Sequence, residues 1–169
     1  QGKIEFVNKF KKNELIFLID KIYRVWHSNL QQLINFKVKE LGKAFIVDCH
    51  SMPSDFSGSF KIPDIVLGNC NNKSCKNEIL NFLKNEFEIK GYSVSLNYPY
   101  SGGYITQKYY DHKHLTQTIQ IEINKKIYMD EQNFKKKKDF ETLKNNFLDI
   151  LTNFSKMLDY QNKEIFAAE

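Results

Sequence analysis

Apolar residues recur at three- and four-residue spacing near the beginning and near the end of the chain. The first pattern predicts a long amphipathic helix over residues 13–41, either straight or kinked, which ends at Gly42. A second pattern predicts a helix over residues 133–160. A third predicts a helix that runs to about residue 90, with Ser74 as its N-cap. We therefore expect three helices that each bury one face.

Four short stretches have the composition of β-strands. Residues 44–47 form an apolar run, whereas residues 92–97 and 115–123 alternate between apolar and polar positions, and residues 64–68 complete the set. Helices precede, separate and follow these strands, so the sequence predicts a three-layer α/β fold with a mixed β-sheet flanked by helices. The length fits a single α/β domain over residues 1–169.

The first predicted strand ends in a polar sequence, Asp48-Cys49-His50-Ser51. In open α/β sheets, ligands bind at the carboxyl ends of strands. Asp48 and His50 lie two positions apart and therefore project from the same side of a strand. This strand end is the best candidate for a functional site, and a purely structural polar strand end is the alternative.

Two other features of the sequence contain residues that could take part in catalysis or in substrate binding. Glu122 lies in a strand whose isoleucines face one way, on the same side as Gln120, and an unpaired buried carboxylate is costly. Glu122 therefore needs either a partner or a chemical role, and burial or a nearby cation would set its pKa. Gly102 and Gly103 permit close backbone approaches, which fits a substrate-facing loop and an ordinary turn almost equally well.

Composition excludes several classes of protein. The net charge is +5, but Arg24 is the only arginine, and arginine is the preferred residue for phosphates and base edges, which argues against nucleic-acid binding. Residues 135–138, a run of four lysines, are interpreted as a solvated helix start.

No apolar run approaches the roughly 18 residues of a membrane span. An odd number of cysteines favours a reducing, cytoplasmic location, and a structural zinc site through Cys70 and Cys75 is a weak alternative.

Four segments in order resemble the N-formylglutamate amidohydrolase family: VDCHSMPSD, DIVLGN, GYSVSLNYPYSGGYIT and QIEINKKIYMDE. The resemblance covers about residues 23–131. It implies a phosphorylase/hydrolase-like fold that is similar to the zinc carboxypeptidase clan, whose members carry a metal-binding histidine followed by serine at a comparable strand.

The resemblance also implies roles for individual residues. His50 would be a zinc ligand, and Asp48 would orient it or contact substrate. Glu122 would be the general base that takes a proton from water and returns it to the leaving nitrogen. The implied substrate is a small N-acyl amino acid, such as an N-formyl amino acid. The residues that would bind it, besides Asp48, are Ser51, Asn97, Gly102, Gly103 and Tyr104.

The sequence departs from the family in its first residues. A catalytic zinc normally has three protein ligands, and the family's other ligands are expected upstream of the first helix. Residues 1–12 contain no histidine or arginine and only one acidic residue, and the chain begins with Gln1. We therefore expect either a piece that lacks an N-terminal part of the family fold or a degenerate member. His112 and His114 could also rebuild the site, and a non-catalytic binding module that retains the pocket is the alternative function.

Overall fold

The computed structural model describes residues 10–55, 61–111, 113 and 115–167, with side chains up to residue 159. His112 and His114, which were candidates for rebuilding a metal site, lie outside the described residues. The chain divides into two compact units, Gln1–Ala44 and Phe45–Glu169. The expectation that residues 1–169 form a single domain stays a prediction.

The described part of the first unit, from residue 10 onward, consists mainly of helix. Helix α1 (Lys12–Leu18) is followed by a π-helical turn (Ile19–Tyr23) and by helix α2 (Arg24–Leu41). The carboxylate of Glu14 accepts a hydrogen bond from the backbone N–H of Lys11 at 2.7 Å and so caps the start of α1. Helix α2 ends where Gly42 adopts a left-handed φ of 72°, as the sequence predicted. The π-helical turn is a local interruption that the apolar spacing did not reveal.

The second unit contains a mixed sheet. The elements from Ala44 onward are β1 Ala44–Met52, β2 Ile65–Gly68, α3 Asn77–Ile89, β3 Val94–Leu96, α4 Tyr104–Tyr109, β4 Thr116–Asn124, a 3-10 turn Lys125–Ile127, β5 Met129–Asp130, β6 Lys135–Lys136 and α5 Phe140–Ala167. The main strands follow the order β1-β4-β2-β3; β2 runs parallel to β3 and antiparallel to β4. The predicted mixed α/β sheet with flanking helices is thereby confirmed. Among the described helices, none is both long enough and apolar enough to cross a membrane.

One face of the sheet carries the hydrophobic core. The predicted apolar face of α3 is fully buried, and it packs with residues of α5 against the strands. Because side chains alternate along a strand, the opposite face of β4 receives its polar residues. The core therefore determines which face of the sheet can carry chemistry. Its buried members include Ile65, Leu67, Ile79, Leu80, Leu83, Phe87, Ile119, Ile121, Ile150 and Phe154.

Strand β1 is longer than predicted. It continues to Met52, so the polar residues 48–51 lie within the strand rather than beyond its end. The reason is that Met52 is only 1% exposed and packs in a small second cluster with Ile62 and Val66. Burial of this side chain fixes the extended backbone that precedes it. The candidate site is consequently built on a rigid strand.

Two predicted helix starts were wrong. Helix α3 begins at Asn77 with Lys76 as its N-cap, and the hydroxyl of Ser74 instead donates a hydrogen bond to the carbonyl of Thr118 at 2.8 Å. The lysine run does not begin the last helix, because Lys135–Lys136 pairs with β5 as an antiparallel hairpin. In both places a contact distant in sequence outweighs a plausible local signal.

A short helix, α4, was not predicted. It begins directly after Gly103, and two of its residues, Thr106 and Tyr109, are buried. No element was predicted for most of this segment, and burial of one side stabilises a helical turn there. Helix α4 holds the segment after the glycine loop close to β4, since the hydroxyl of Thr118 donates to the carbonyl of Thr106 at 2.7 Å.

We expect Phe87→Ala to destabilise the protein by about 3–5 kcal/mol, because Phe87 is fully buried between α3 and α5 and its removal leaves a cavity. The matched control is Phe134→Ala, since Phe134 is 81% exposed; its effect should stay within about 0.5 kcal/mol. Urea unfolding gives both values. Equal losses for the two variants would contradict the assignment of the core.

Candidate active site

Asp48 and His50 form a pair on one face of β1. Oδ1 of Asp48 lies 3.1 Å from Nε2 of His50. The Asp48 side chain is 14% exposed, whereas that of His50 is 45% exposed. A carboxylate that engages one imidazole nitrogen fixes the orientation of the ring and directs the other nitrogen, Nδ1, elsewhere. The spacing predicted that the two side chains share one side of the strand, and the family resemblance implied the pairing as one of two roles for Asp48.

Gln120 and Glu122 lie on the neighbouring strand β4, and both are buried. Nε2 of Gln120 donates a hydrogen bond to Oε1 of Glu122 at 2.6 Å. The other end of the same amide, Oε1, accepts a hydrogen bond from the backbone N–H of Gly103. Gln120 therefore links the carboxylate of Glu122 to the glycine loop, which we define as residues 101–103.

The pKa of Glu122 shows which groups act on this carboxyl. Burial raises the pKa of Glu122 above its ordinary value of 4.5, and the negative charge of Asp48 raises it further. The hydrogen bond from Gln120 and the charge of His50 oppose this effect without cancelling it. The acid of β4 thus interacts electrostatically with both members of the β1 pair. A raised pKa brings a carboxyl closer to the range in which a general base works efficiently.

The glycine loop approaches its surroundings too closely for side chains. A Cβ added at Gly68 would lie 2.7 Å from the backbone carbon of Ser101, and one at Gly102 would lie 2.8 Å from Sγ of Cys70. Gly102 also has a φ of 141°, which disfavours any other residue. The carbonyl of Ser101 accepts a hydrogen bond from the N–H of Cys70 at 2.6 Å. The close approach of the loop to β2 therefore requires glycine both at position 68 in the strand and at position 102 in the loop.

Gly103 is the point at which the loop meets both site strands. A Cβ added there would lie 3.0 Å from Oε1 of Gln120 and 4.0 Å from Oδ2 of Asp48. The loop thus closes over the polar face of the sheet. The structure places Gly103 next to Asp48, as the predicted substrate-facing loop requires, although its contact with substrate stays a prediction.

Two further residues border the site. The hydroxyl of Thr106 in α4 donates a hydrogen bond to Oδ2 of Asp48 at 3.4 Å. Burial raises the pKa of Tyr100, and so does the negative charge of Glu122, which keeps the phenol protonated. Thr106 was not predicted, because no signal in the sequence distinguished it. Tyr100 lies between Asn97 and Gly102, two residues to which the family resemblance gives a role in substrate binding.

Asn97 lies at a turn rather than beside the acid groups. Its Oδ1 accepts hydrogen bonds from the N–H groups of Asn69 and Asn71 at 2.9 and 3.2 Å, and its Nδ2 donates to Oδ1 of Asn69 at 2.9 Å. Its φ is 58°, in the left-handed region. These contacts fix the start of the segment that leads to the glycine loop. A direct substrate contact by Asn97 stays a prediction.

Ser51 and Tyr104 are both exposed. Ser51 alternates with His50 along β1, yet the two residues line the same open depression of about 550 Å³. Tyr104 is 55% exposed, and its hydroxyl accepts a hydrogen bond from Nζ of Lys108 at 3.1 Å. Their predicted roles in substrate binding stay predictions.

The described residues do not complete a zinc site. Within residues 10–55, 61–111, 113 and 115–167 there is no group of three histidine, cysteine or acidic side chains that could hold a metal ion. His50 has the carboxylate partner that is typical of a metal-bound imidazole, but it would be one ligand of the three that zinc needs. Burial raises the pKa of Cys75 to about 12, which leaves it a thiol and weakens the alternative of a structural zinc site.

Comparisons with known proteins agree on one family. A family model described as N-formylglutamate amidohydrolase matches residues 3–129. An N-formylglutamate deformylase from Pseudomonas putida is 32% identical over 116 residues, which are 67% of this chain and 43% of that protein. The N-formylglutamate deformylase from Pseudomonas aeruginosa is 29% identical over 115 residues, which are 66% of this chain and 43% of that protein. Each match spans less than half of the curated relative.

A solved structure has the same fold. The N-formylglutamate amidohydrolase from Ralstonia eutropha JMP134 aligns with a TM-score of 0.80 at 23% sequence identity. The alignment covers 92% of this chain and 56% of that one. At this level of identity the likeness shows the fold.

We expect Glu122→Gln to raise the unfolding temperature at about pH 8, because the folded protein must ionise a buried carboxyl that the unfolded chain ionises freely. The folded pKa lies above 4.5, so the folded state binds more protons than the unfolded state between these two pKa values. Relative to the variant, the wild type is therefore most stable below pH 4.5. It loses this relative stability as the pH rises through the pKa that Glu122 has in the folded protein.

Differential scanning calorimetry from about pH 4 to pH 8 measures this difference. The exposed Glu78 provides the matched control, and Glu78→Gln should lower the unfolding temperature slightly, if at all, because Glu78 lies in the first turn of α3. A Glu122→Gln variant whose advantage does not grow with pH would contradict a raised pKa for Glu122 in the folded protein.

Proposed function

Because the chain belongs to the N-formylglutamate amidohydrolase family, we propose that it takes part in hydrolysing the amide bond of a small N-acyl amino acid, such as an N-formyl amino acid. The observation that carries this proposal is the buried carboxyl of Glu122, which interacts electrostatically with the Asp48–His50 pair. Names of the similar deformylases make N-formylglutamate the first substrate to test.

The reaction requires a proton to move twice. Glu122 takes a proton from the attacking water, whose oxygen bonds to the carbonyl carbon of the substrate. The C–N bond then breaks, and Glu122 returns the proton to the leaving nitrogen, which gives a free amine and a carboxylate. The raised pKa of Glu122 suits both transfers, because the group must accept a proton and release it at the same pH.

The other site residues position the reacting groups. Asp48 orients the imidazole of His50 and is itself held by the hydroxyl of Thr106. Tyr100 keeps its phenol proton, because burial and the charge of Glu122 raise its pKa, and so it remains a hydrogen-bond donor at this edge of the site. Negative charge develops on the carbonyl oxygen in such reactions, so donors at this position stabilise the transition state.

Zinc stays a prediction. It would polarise the substrate carbonyl, and His50 is the residue on this chain that we assign as its ligand. The described residues do not supply the three protein ligands that such a site needs, so no proton transfer is assigned to a metal-bound group. The remaining ligands must come from outside the described residues if zinc is bound.

A second candidate function is a non-catalytic module that binds an N-acyl amino acid in the family pocket. The two functions differ in what Glu122 does. A binding module needs the shape of the pocket, whereas a hydrolase needs the proton transfer. Unaltered biological activity of the Glu122→Gln variant would therefore favour the binding module.

For a hydrolase we expect Glu122→Gln to lower kcat for N-formylglutamate by about 10²–10⁴-fold with little change in KM, because the amide cannot accept the proton of water. Release of formate measures the rate. Glu78→Gln, which changes the net charge equally at an exposed helix position, should retain full activity. Turnover in the Glu122→Gln variant at the rate of the control would contradict the proposed role.

For metal binding we expect the purified wild-type protein to contain zinc and His50→Ala to lose it, as measured by inductively coupled plasma mass spectrometry. His27→Ala is the matched control, because His27 lies in the helical first unit and packs against Tyr23 and Trp26. Zinc content that is equal in the two variants would contradict the assignment of His50 as a ligand.

A further inference from the structure

We propose that Gln120 is a positioning residue, which holds the carboxylate of Glu122 and the glycine loop in a single mutual geometry. The inference deepens the proposed function and rests on it. Neither the family motifs nor the spacing of residues assigned a role to Gln120. The two hydrogen bonds of its side-chain amide indicate such a role.

The orientation of the Gln120 amide is determined by its surroundings. The backbone N–H of Gly103 can only donate, so it must face Oε1 of Gln120. The amide nitrogen Nε2 then necessarily faces Glu122 and donates to Oε1 of its carboxylate at 2.6 Å. An amide has one donor end and one acceptor end, and both ends are used here.

In this geometry the two oxygens of the Glu122 carboxylate have different roles. Oε1 accepts the hydrogen bond from Gln120, and we assign Oε2 to proton transfer with the substrate. A donor at Oε1 restricts rotation of the carboxylate about its last torsion angle, which is otherwise broad. The oxygen that reacts is thereby held in a fixed position, which a proton transfer requires.

Packing alone does not explain a glutamine at this position. Gln120 is only 4% exposed, and burial of an amide is costly unless both ends are hydrogen-bonded. Gly103 and Gln120 also depend on each other, because a Cβ at Gly103 would lie 3.0 Å from Oε1 of Gln120. Gly103 has a φ of −84°, so Gly103→Ala disturbs this contact rather than the backbone conformation.

The test separates the two hydrogen bonds. Gln120→Met retains the length of the side chain and removes both bonds, whereas Gln120→Glu retains the acceptor for Gly103 and, when ionised, replaces the donor to Glu122 with a second negative charge. Gln117→Met is the matched control, since Gln117 is a buried residue of the same strand whose Oε1 accepts from the N–H of Lys76 at 2.9 Å. All variants are made in the full chain.

The first readout is amide hydrogen exchange at Gly103, followed by NMR, and it needs no catalytic activity. We expect exchange at Gly103 to become about tenfold faster in Gln120→Met, as the loss of one hydrogen bond predicts, and to stay near the wild-type rate in Gln120→Glu and Gln117→Met. Gly103→Ala should change the chemical shift of the Gln120 side-chain amide. Exchange at Gly103 that is unchanged in Gln120→Met would overturn the proposal.

The second readout reports on Glu122. In the wild type, the side-chain N–H of Gln120 that is bonded to the carboxylate should resonate downfield, and Glu122→Gln should reduce that shift while Gly103 stays protected. Identical side-chain signals in the two proteins would overturn the link to Glu122. This readout also stands if Gln120→Met does not fold.

The third readout is catalysis. Both Gln120 variants should lower kcat by about 10–100-fold with little change in KM, because the substrate still binds while the carboxylate is displaced. Gln117→Met should retain the wild-type kcat. A wild-type protein without turnover would count against the proposed function, whereas wild-type kcat in Gln120→Glu would count against this inference alone.

Discussion

The hydrogen bond between the Gln120 amide and the Glu122 carboxylate is the interaction on which the rest of the site depends. Both groups are buried on a strand whose other face is filled with isoleucine, so neither can be left without a partner. The amide satisfies the carboxylate at one end and the backbone of Gly103 at the other. A buried acid, a glycine loop and a strand are thereby held together by one side chain.

The hydrophobic core and the polar site are two consequences of the same alternation. On β4, residues such as Ile119 and Ile121 pack against α3 and α5, which fixes the register of the strand. That register leaves Gln120 and Glu122 on the opposite face. Side chains also alternate along strand β1. Val47 packs against the core, whereas Asp48 and His50 lie on the other face and form the carboxylate–imidazole pair. Stability of the core therefore maintains the geometry of the site.

Much of this arrangement could be predicted from the sequence, because periodicity alone determines which residues share a face. The core face of α3 and the side-by-side placement of Asp48 and His50 followed directly from spacing. Contacts between distant residues could not be predicted. The bridge from Gln120 to Gly103 spans 17 residues, and the tie from Ser74 to Thr118 spans 44, so no local pattern reveals either. The lysines of β6 were misassigned for the same reason, since pairing with β5 overrode a local helical signal.

A double-mutant cycle tests most directly whether His50 on β1 and Glu122 on β4 belong to one site and interact with each other. The free energy of unfolding is measured at about pH 6 for the wild type, His50→Ala, Glu122→Gln and the double variant. We expect the two effects to be coupled by about 0.5–3 kcal/mol, as for groups that interact directly. Effects that add to within about 0.3 kcal/mol would show that the two side chains do not interact, and would contradict the shared site.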